Sequence, residues 1–99
     1  MNDTASIAGF ILAGGQSSRM GVDKELLEIA GAPMIVRTAR LVEAAVGTPA
    51  MVVGTPEKYR RLGLRALADD WPGCGPLGGI ATALRASGAD WNLIVACDL

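Results

Sequence analysis

Short unbroken apolar runs alternate along the chain with stretches in which apolar residues recur at helical spacing. Residues 1–5 read as a loose tail, and Ser6 to Leu12, with the apolar run Ile7 to Leu12, predicts a first strand buried on both faces of a sheet. A glycine-rich loop follows, then a short extended piece, Leu26 to Ile29, and the turn signal Gly31, Ala32, Pro33. Ile35, Ala39, Val42 and Val46 then keep helical spacing, with Pro33 suited to the first helical turn and Gly47 to the stop. Ala50 to Val53 predicts a second strand, Pro56 opens a short helix that closes near Gly63, and Leu64 to Ala68 predicts a third strand.

The loop Asp69 to Gly75 leads into a helix starting at Pro76, with Leu77, Ile80, Ala81 and Leu84 on one face and Gly88 as its end. A final strand, Trp91 to Cys97, delivers Asp98 at its C-terminal end. The alternation of strands and helices predicts an α/β protein, a Rossmann-like three-layer α/β/α arrangement with a mostly parallel sheet. Because the last predicted strand is not followed by another loop and helix, the sequence reads like the N-terminal half of a larger domain.

Composition narrows the chemistry. The 99 residues carry a formal net charge of −1 and are 51% hydrophobic, which suits a single soluble globular unit with one modest core. Without a basic stripe, a nucleic-acid partner is not expected, and no apolar stretch approaches the ~20 residues of a membrane helix. Two cysteines, Cys74 and Cys97, and no apolar leader make a reducing cytoplasm the expected compartment, with both thiols read as small buried or loop residues. The chain has no histidine, so within it Ser/His/Asp and Cys/His catalysis and His-ligated zinc are excluded. Chemistry must then rest on carboxylates, Lys, Arg, backbone dipoles and a bound cation.

Leu12 to Lys24, LAGGQSSRMGVDK, is the segment best suited to a nucleoside triphosphate. Gly14 and Gly15 let backbone amides approach phosphate oxygens, and Arg19 and Lys24 can neutralise several negative charges. The bland alternative is a glycine turn with two solvated cations. No GK[ST] is present, and the loop lacks GxGxxG, so the commonest phosphate motifs do not describe it. Gly73, Gly75 and Gly78 do spell GxGxxG, with Asp98 about 20 residues beyond as in a dinucleotide fold. Asp69 to Pro72 separate that triplet from the preceding strand and Pro76 interrupts it, so NAD binding is rejected.

Five further residues, in three places, carry candidate chemistry. Gly78 and Gly79 stand in the first turn of a helix, where each costs ~1 kcal/mol relative to Ala, so a planar base or a neighbouring strand must come close there. Asp69 and Asp70 offer loop carboxylates for a ligand, or are simply solvated. Asp98, at a strand end, is an oxygen ligand for a hard cation such as Mg²⁺, or a cap for the following loop.

LAGGQSSRMGVDK resembles the LAGGxSxRMGxDK signature of nucleotidyltransferases in the nucleotide-diphospho-sugar transferase superfamily, and within it the molybdenum cofactor guanylyltransferases. The later GPLGGI and ACD segments match in order and spacing, so the resemblance covers nearly the whole chain. It implies that backbone groups of Leu12, Ala13, Gly14 and Gly15 contact the nucleotide and that Lys24, with Arg19, sits on its phosphates. It further implies a nucleotide contact from Asp69, close approach of the base to Gly78 and Gly79, and Mg²⁺ on Asp98. The implied reaction transfers GMP from GTP to the phosphate of molybdopterin with release of pyrophosphate. Alternatives are a cytidylyl or sugar-phosphate transferase of the same fold, or a nucleotide-binding half-domain without catalysis. Gly54 stands where the resembling enzymes carry Asn, which removes one expected nucleotide contact and leaves guanine against cytosine open. Acceptor identity and oligomeric state are not readable from these residues.

Overall fold

In a computed structural model of the chain, residues 5–13, 28–29 and 32–96 are described. Along it run β1 (Ile7–Leu12), β2 (Glu28–Ile29), β3 (Ala32–Pro33), α1 (Met34–Val46), β4 (Met51–Val53), α2 (Pro56–Arg60), β5 (Arg65–Leu67), α3 (Gly75–Ala86) and β6 (Trp91–Ala96). Four of the strands form one sheet in the order β5, β4, β1, β6, with every neighbouring pair parallel. β2 and β3 form a separate antiparallel pair.

Side chains on a strand point alternately to the two faces of its sheet, and β1 shows why both faces must be covered. On one face Ile11, Val52 and Ala66 pack with Ile35, Ala39 and Val42 of α1 and Tyr59 of α2. On the other, Phe10 and Val53 pack with Ala83 of α3, flanked by Leu12, Met51, Leu67 and Ile94. The result is the three-layer α/β/α architecture with a parallel sheet that the sequence pattern predicts.

The helix boundaries follow the local chemistry. Gly47 closes α1 in the left-handed conformation, φ 81°, and its N–H donates to the Glu43 carbonyl at 2.7 Å. Pro33 lies just before α1, with ψ 145°, ending β3 and capping the helix rather than standing in its first turn as expected. Among the described residues, no helix is long and apolar enough to cross a membrane.

One expectation is overturned. The Leu77, Ile80, Ala81, Leu84 side of α3 is not the buried one, since Leu77 is 74% and Leu84 52% exposed. The buried stripe is Gly78, Gly79, Thr82 and Ala83. Bulk at this contact comes from the sheet, from Phe10, Leu12 and Val53, so the helix contributes small residues and approaches closely. A reading that ranks faces by large apolar side chains picks the opposite side.

Candidate nucleotide site

From β1 the chain moves outward to β4 and then β5, and it returns through α3 to place β6 on the other side of β1. The direction of winding therefore reverses between β1 and β6. In open parallel sheets the crevice at the carboxyl ends of the strands flanking such a reversal is where ligands sit. Leu12 and Ala96 are register partners at that point.

A cavity of about 790 Å³ opens there. All four parallel strands contribute to its wall at or just past their C-terminal ends, through Leu12 and Ala13, Gly54, Asp69 and Ala96, and α3 adds Gly79 from its first turns. Two hydrogen bonds extend the sheet past the strand ends and fix this rim. The Ala13 N–H donates to the Val53 carbonyl at 3.0 Å, and the Gly54 N–H to the Leu67 carbonyl at 3.0 Å. At the opposite edge the Trp91 N–H donates to the Ser6 carbonyl at 2.9 Å, which holds β1 and β6 in register.

The loop between β5 and α3 is shaped by one carboxylate and one hydroxyl. Asp69 Oδ1 accepts the Trp71 N–H at 2.8 Å, an Asx turn, and lies 3.1 Å from Thr82 Oγ1. The Asp70 N–H donates to the same hydroxyl at 2.8 Å, while the Asp70 carboxylate pairs with Arg85 Nε. The two adjacent acids are thus separated in role: Asp69 lines the cavity, and Asp70 is bound to the side of α3. No side chain caps the N-terminus of α3, and the cavity wall includes Gly75 and Pro76, so the positive end of the helix dipole borders the cleft.

The paired glycines of α3 have separate structural reasons. A Cβ on Gly78 would stand 2.6 Å from the Trp71 carbonyl oxygen, so the loop backbone closes directly over it. A Cβ on Gly79 would stand 2.9 Å from Leu12 Cδ2, and Gly79 alone of the two lines the cavity. Gly54 is equally confined, with its missing Cβ 2.9 Å from the Tyr59 ring and 3.2 Å from the Ala13 carbonyl oxygen. A larger residue at that position requires the buried Tyr59 ring to shift.

Of the residues singled out in the sequence, Leu12, Ala13, Asp69 and Gly79 meet around one cavity, and Gly78 lies off its wall under Trp71. Gly14, Gly15, Arg19, Lys24 and Asp98 fall outside the described residues. The GxGxxG reading has no support in the topology, because β5 ends at Leu67 and Gly73 comes only after the intervening loop residues. Thr82 was not singled out in the sequence. The available signal is a lone polar residue on the small-residue side of α3, the side of Gly78 and Gly79.

Residues 9–99 match the family of the MobA-like NTP transferase domain. The chain belongs to this family. Among its curated relatives, a protein of Synechococcus elongatus named "Probable molybdenum cofactor guanylyltransferase" is 39% identical over 99 residues, covering 95% of this chain and 51% of the relative. A protein of the same name from Pelotomaculum thermopropionicum is 43% identical over 91 residues, 92% of this chain and 44% of the relative. The "Molybdenum cofactor guanylyltransferase" of Syntrophotalea carbinolica is 35% identical over 89 residues, 90% of this chain and 42% of the relative. The chain therefore spans about half the length of the curated relatives it matches.

Proposed function

We propose that the cleft binds GTP and that the protein transfers GMP to the terminal phosphate of molybdopterin, releasing pyrophosphate. The observation that carries this reading is the pairing of Leu12 with Ala96 at the reversal point of the sheet. The segment that continues to Lys24 follows Leu12 in sequence and Asp98 follows Ala96 by two residues, while Leu12 and Ala96 are themselves neighbours on one cavity wall.

The chemistry asks little of proton transfer. The acceptor phosphate is already an anionic nucleophile; as its oxygen bonds to the α-phosphorus, the bond to the bridging oxygen breaks and pyrophosphate leaves with the electron pair. A chain without histidine suits this step, which depends on alignment and on offsetting the negative charge of the leaving group. Arg19 and Lys24 serve the second need, together with the amide end of α3. Asp98 would hold Mg²⁺, which when bound supplies further charge neutralisation on the phosphates; one or two carboxylates plus substrate oxygens are the donors this ion prefers.

The groups placed around the cavity favour guanine. The Ala13 amide is committed to Val53, so a backbone contact from Ala13 falls to its carbonyl, and Asp69 is an acceptor when ionised. Guanine offers N1–H and an amino group on one edge, more donors than cytosine presents. Gly54, which provides no side chain to read a base, favours the second reading, a transferase with relaxed preference that also accepts CTP. Pyrophosphate release measured with GTP, CTP, ATP and UTP, with and without molybdopterin, tests both. Release specific to GTP and molybdopterin supports the first reading, equal release with CTP supports the second, and GTP binding without release under any condition reduces the chain to a nucleotide-binding unit.

A further inference from the structure

Thr82 is fully buried, at 0% exposure, and its hydroxyl is the hub of the loop that carries Asp69. Three groups surround this oxygen: the Asp70 N–H at 2.8 Å, the Gly78 carbonyl at 2.9 Å and Asp69 Oδ1 at 3.1 Å. The Asp70 amide must donate to it, and the single hydroxyl proton is then shared between the Gly78 carbonyl and Asp69 Oδ1 in a three-centre bond. A helical threonine that bonded only its own helix would need no contact outside α3. Here the same atom bridges from the helix to two consecutive loop residues, one through its backbone and one through its carboxylate.

The consequence falls on Asp69. Its Oδ1 is held by the Trp71 N–H and by Thr82, which fixes the plane of the carboxylate. Its Oδ2 has no hydrogen-bond partner among the described residues, and Asp69 is one of the residues that line the cavity at the reversal point of the sheet. A carboxylate with one oxygen anchored by the protein and the other uncommitted is an oriented acceptor for a ligand N–H or O–H.

We propose that Thr82 is a positioning residue for the nucleotide: through its hydroxyl it anchors Oδ1 of Asp69, so that Oδ2 is presented to a hydrogen-bond donor of the bound nucleotide. This rests on the nucleotide reading of the cleft and adds to it a residue that does not itself line the cavity. The donor is either a ribose hydroxyl or an N–H group of the base. These two share the chemistry a fixed carboxylate selects.

The test is calorimetric titration of Mg²⁺-GTP into the wild-type chain, Thr82→Val, Thr82→Ser, Asp69→Asn and the Thr82→Val/Asp69→Asn double variant, each verified as folded by its amide NMR spectrum. Valine keeps the shape and removes the hydroxyl, whereas serine keeps the hydroxyl. Losing one oriented, charge-assisted hydrogen bond corresponds to a roughly tenfold rise in Kd for Thr82→Val, with Thr82→Ser staying within about twofold of wild type. In the Asp69→Asn background Thr82→Val adds little further loss, because the group it positions is already altered. The same titrations with dGTP and ITP assign the donor. A Thr82→Val penalty that vanishes with dGTP marks the ribose 2′-hydroxyl, and one that vanishes with ITP marks the guanine amino group.

Equal affinities for wild type and Thr82→Val overturn the positioning role alone, as does the same fold-loss with and without Asp69. A folded wild-type chain that binds no GTP overturns the nucleotide reading, and this role with it.

Discussion

Leu12 and Ala96 are register partners on adjacent parallel strands, and both line the cavity at the carboxyl edge of the sheet. Adjacent strands lie about 4.8 Å apart, and each further residue of chain extends at most about 3.6 Å. In sequence, Asp98 follows Ala96 by two residues, and the segment leading to Lys24 follows Leu12. The sheet brings the end of β1, which precedes the glycine-rich segment, and the end of β6, which precedes Asp98, to one rim.

The metal role proposed for Asp98 gives the sharpest split between binding and chemistry. Asp98→Ala is expected to abolish pyrophosphate release in the active protein while only weakening GTP binding, since the phosphate contacts proposed for Arg19, Lys24 and the backbone do not depend on it. Turnover is followed by coupled pyrophosphate detection. Undiminished release in this variant removes the proposed metal role.

The two acids of the β5–α3 loop should separate in function. Asp70→Asn breaks a partly exposed pair with Arg85, whose side chain is 58% exposed, and is expected to cost under about 1 kcal/mol of stability and to leave GTP affinity unchanged. Asp69→Asn is expected to weaken GTP binding about tenfold or more, with a comparably small effect on folding. Urea denaturation and calorimetry on both variants check the pair. The reverse pattern would assign the nucleotide contact to Asp70.

Gly78 and Gly79 should respond differently to the same added methyl group. At Gly78 the new Cβ meets the backbone oxygen of Trp71 at 2.6 Å, which moves only if the whole loop moves. Gly78→Ala is thus expected to destabilise by about 1–3 kcal/mol and to weaken GTP binding by displacing Asp69. At Gly79 the Cβ meets the end of the Leu12 side chain, which can rotate, and a helix-propensity gain of about 1 kcal/mol offsets the remaining strain. Gly79→Ala should therefore be near neutral in urea denaturation.

Much of this arrangement is legible in the residues themselves. The apolar run ending at Leu12, the helical spacing from Ile35 to Val46 and the stop at Gly47 each reflect a local preference that the tertiary structure keeps. The packing of α3 is not legible in the same way. Its buried side is made of glycine, threonine and alanine because the sheet supplies the bulk, and only the sheet's own side chains reveal that. The cost of two glycines at the start of that helix was visible at positions 78 and 79, but not its cause. A backbone carbonyl accounts for one and a leucine side chain for the other. Thr82 escaped notice for a related reason: its role depends on a loop that folds back over the helix, and no spacing along the chain encodes that contact.

The carboxyl edge of the four-stranded sheet is the proposed site of nucleoside triphosphate binding. Titration of Mg²⁺-GTP into the ¹⁵N-labelled chain, followed through backbone amide shifts, tests it most directly. The largest changes among the described residues are expected on Ala13, Gly54, Asp69 and Gly79. Shifts confined to the other end of the sheet, at Thr48, Arg65 and Ser87 around the smaller cavity of about 260 Å³, or no shifts at millimolar GTP, would contradict it.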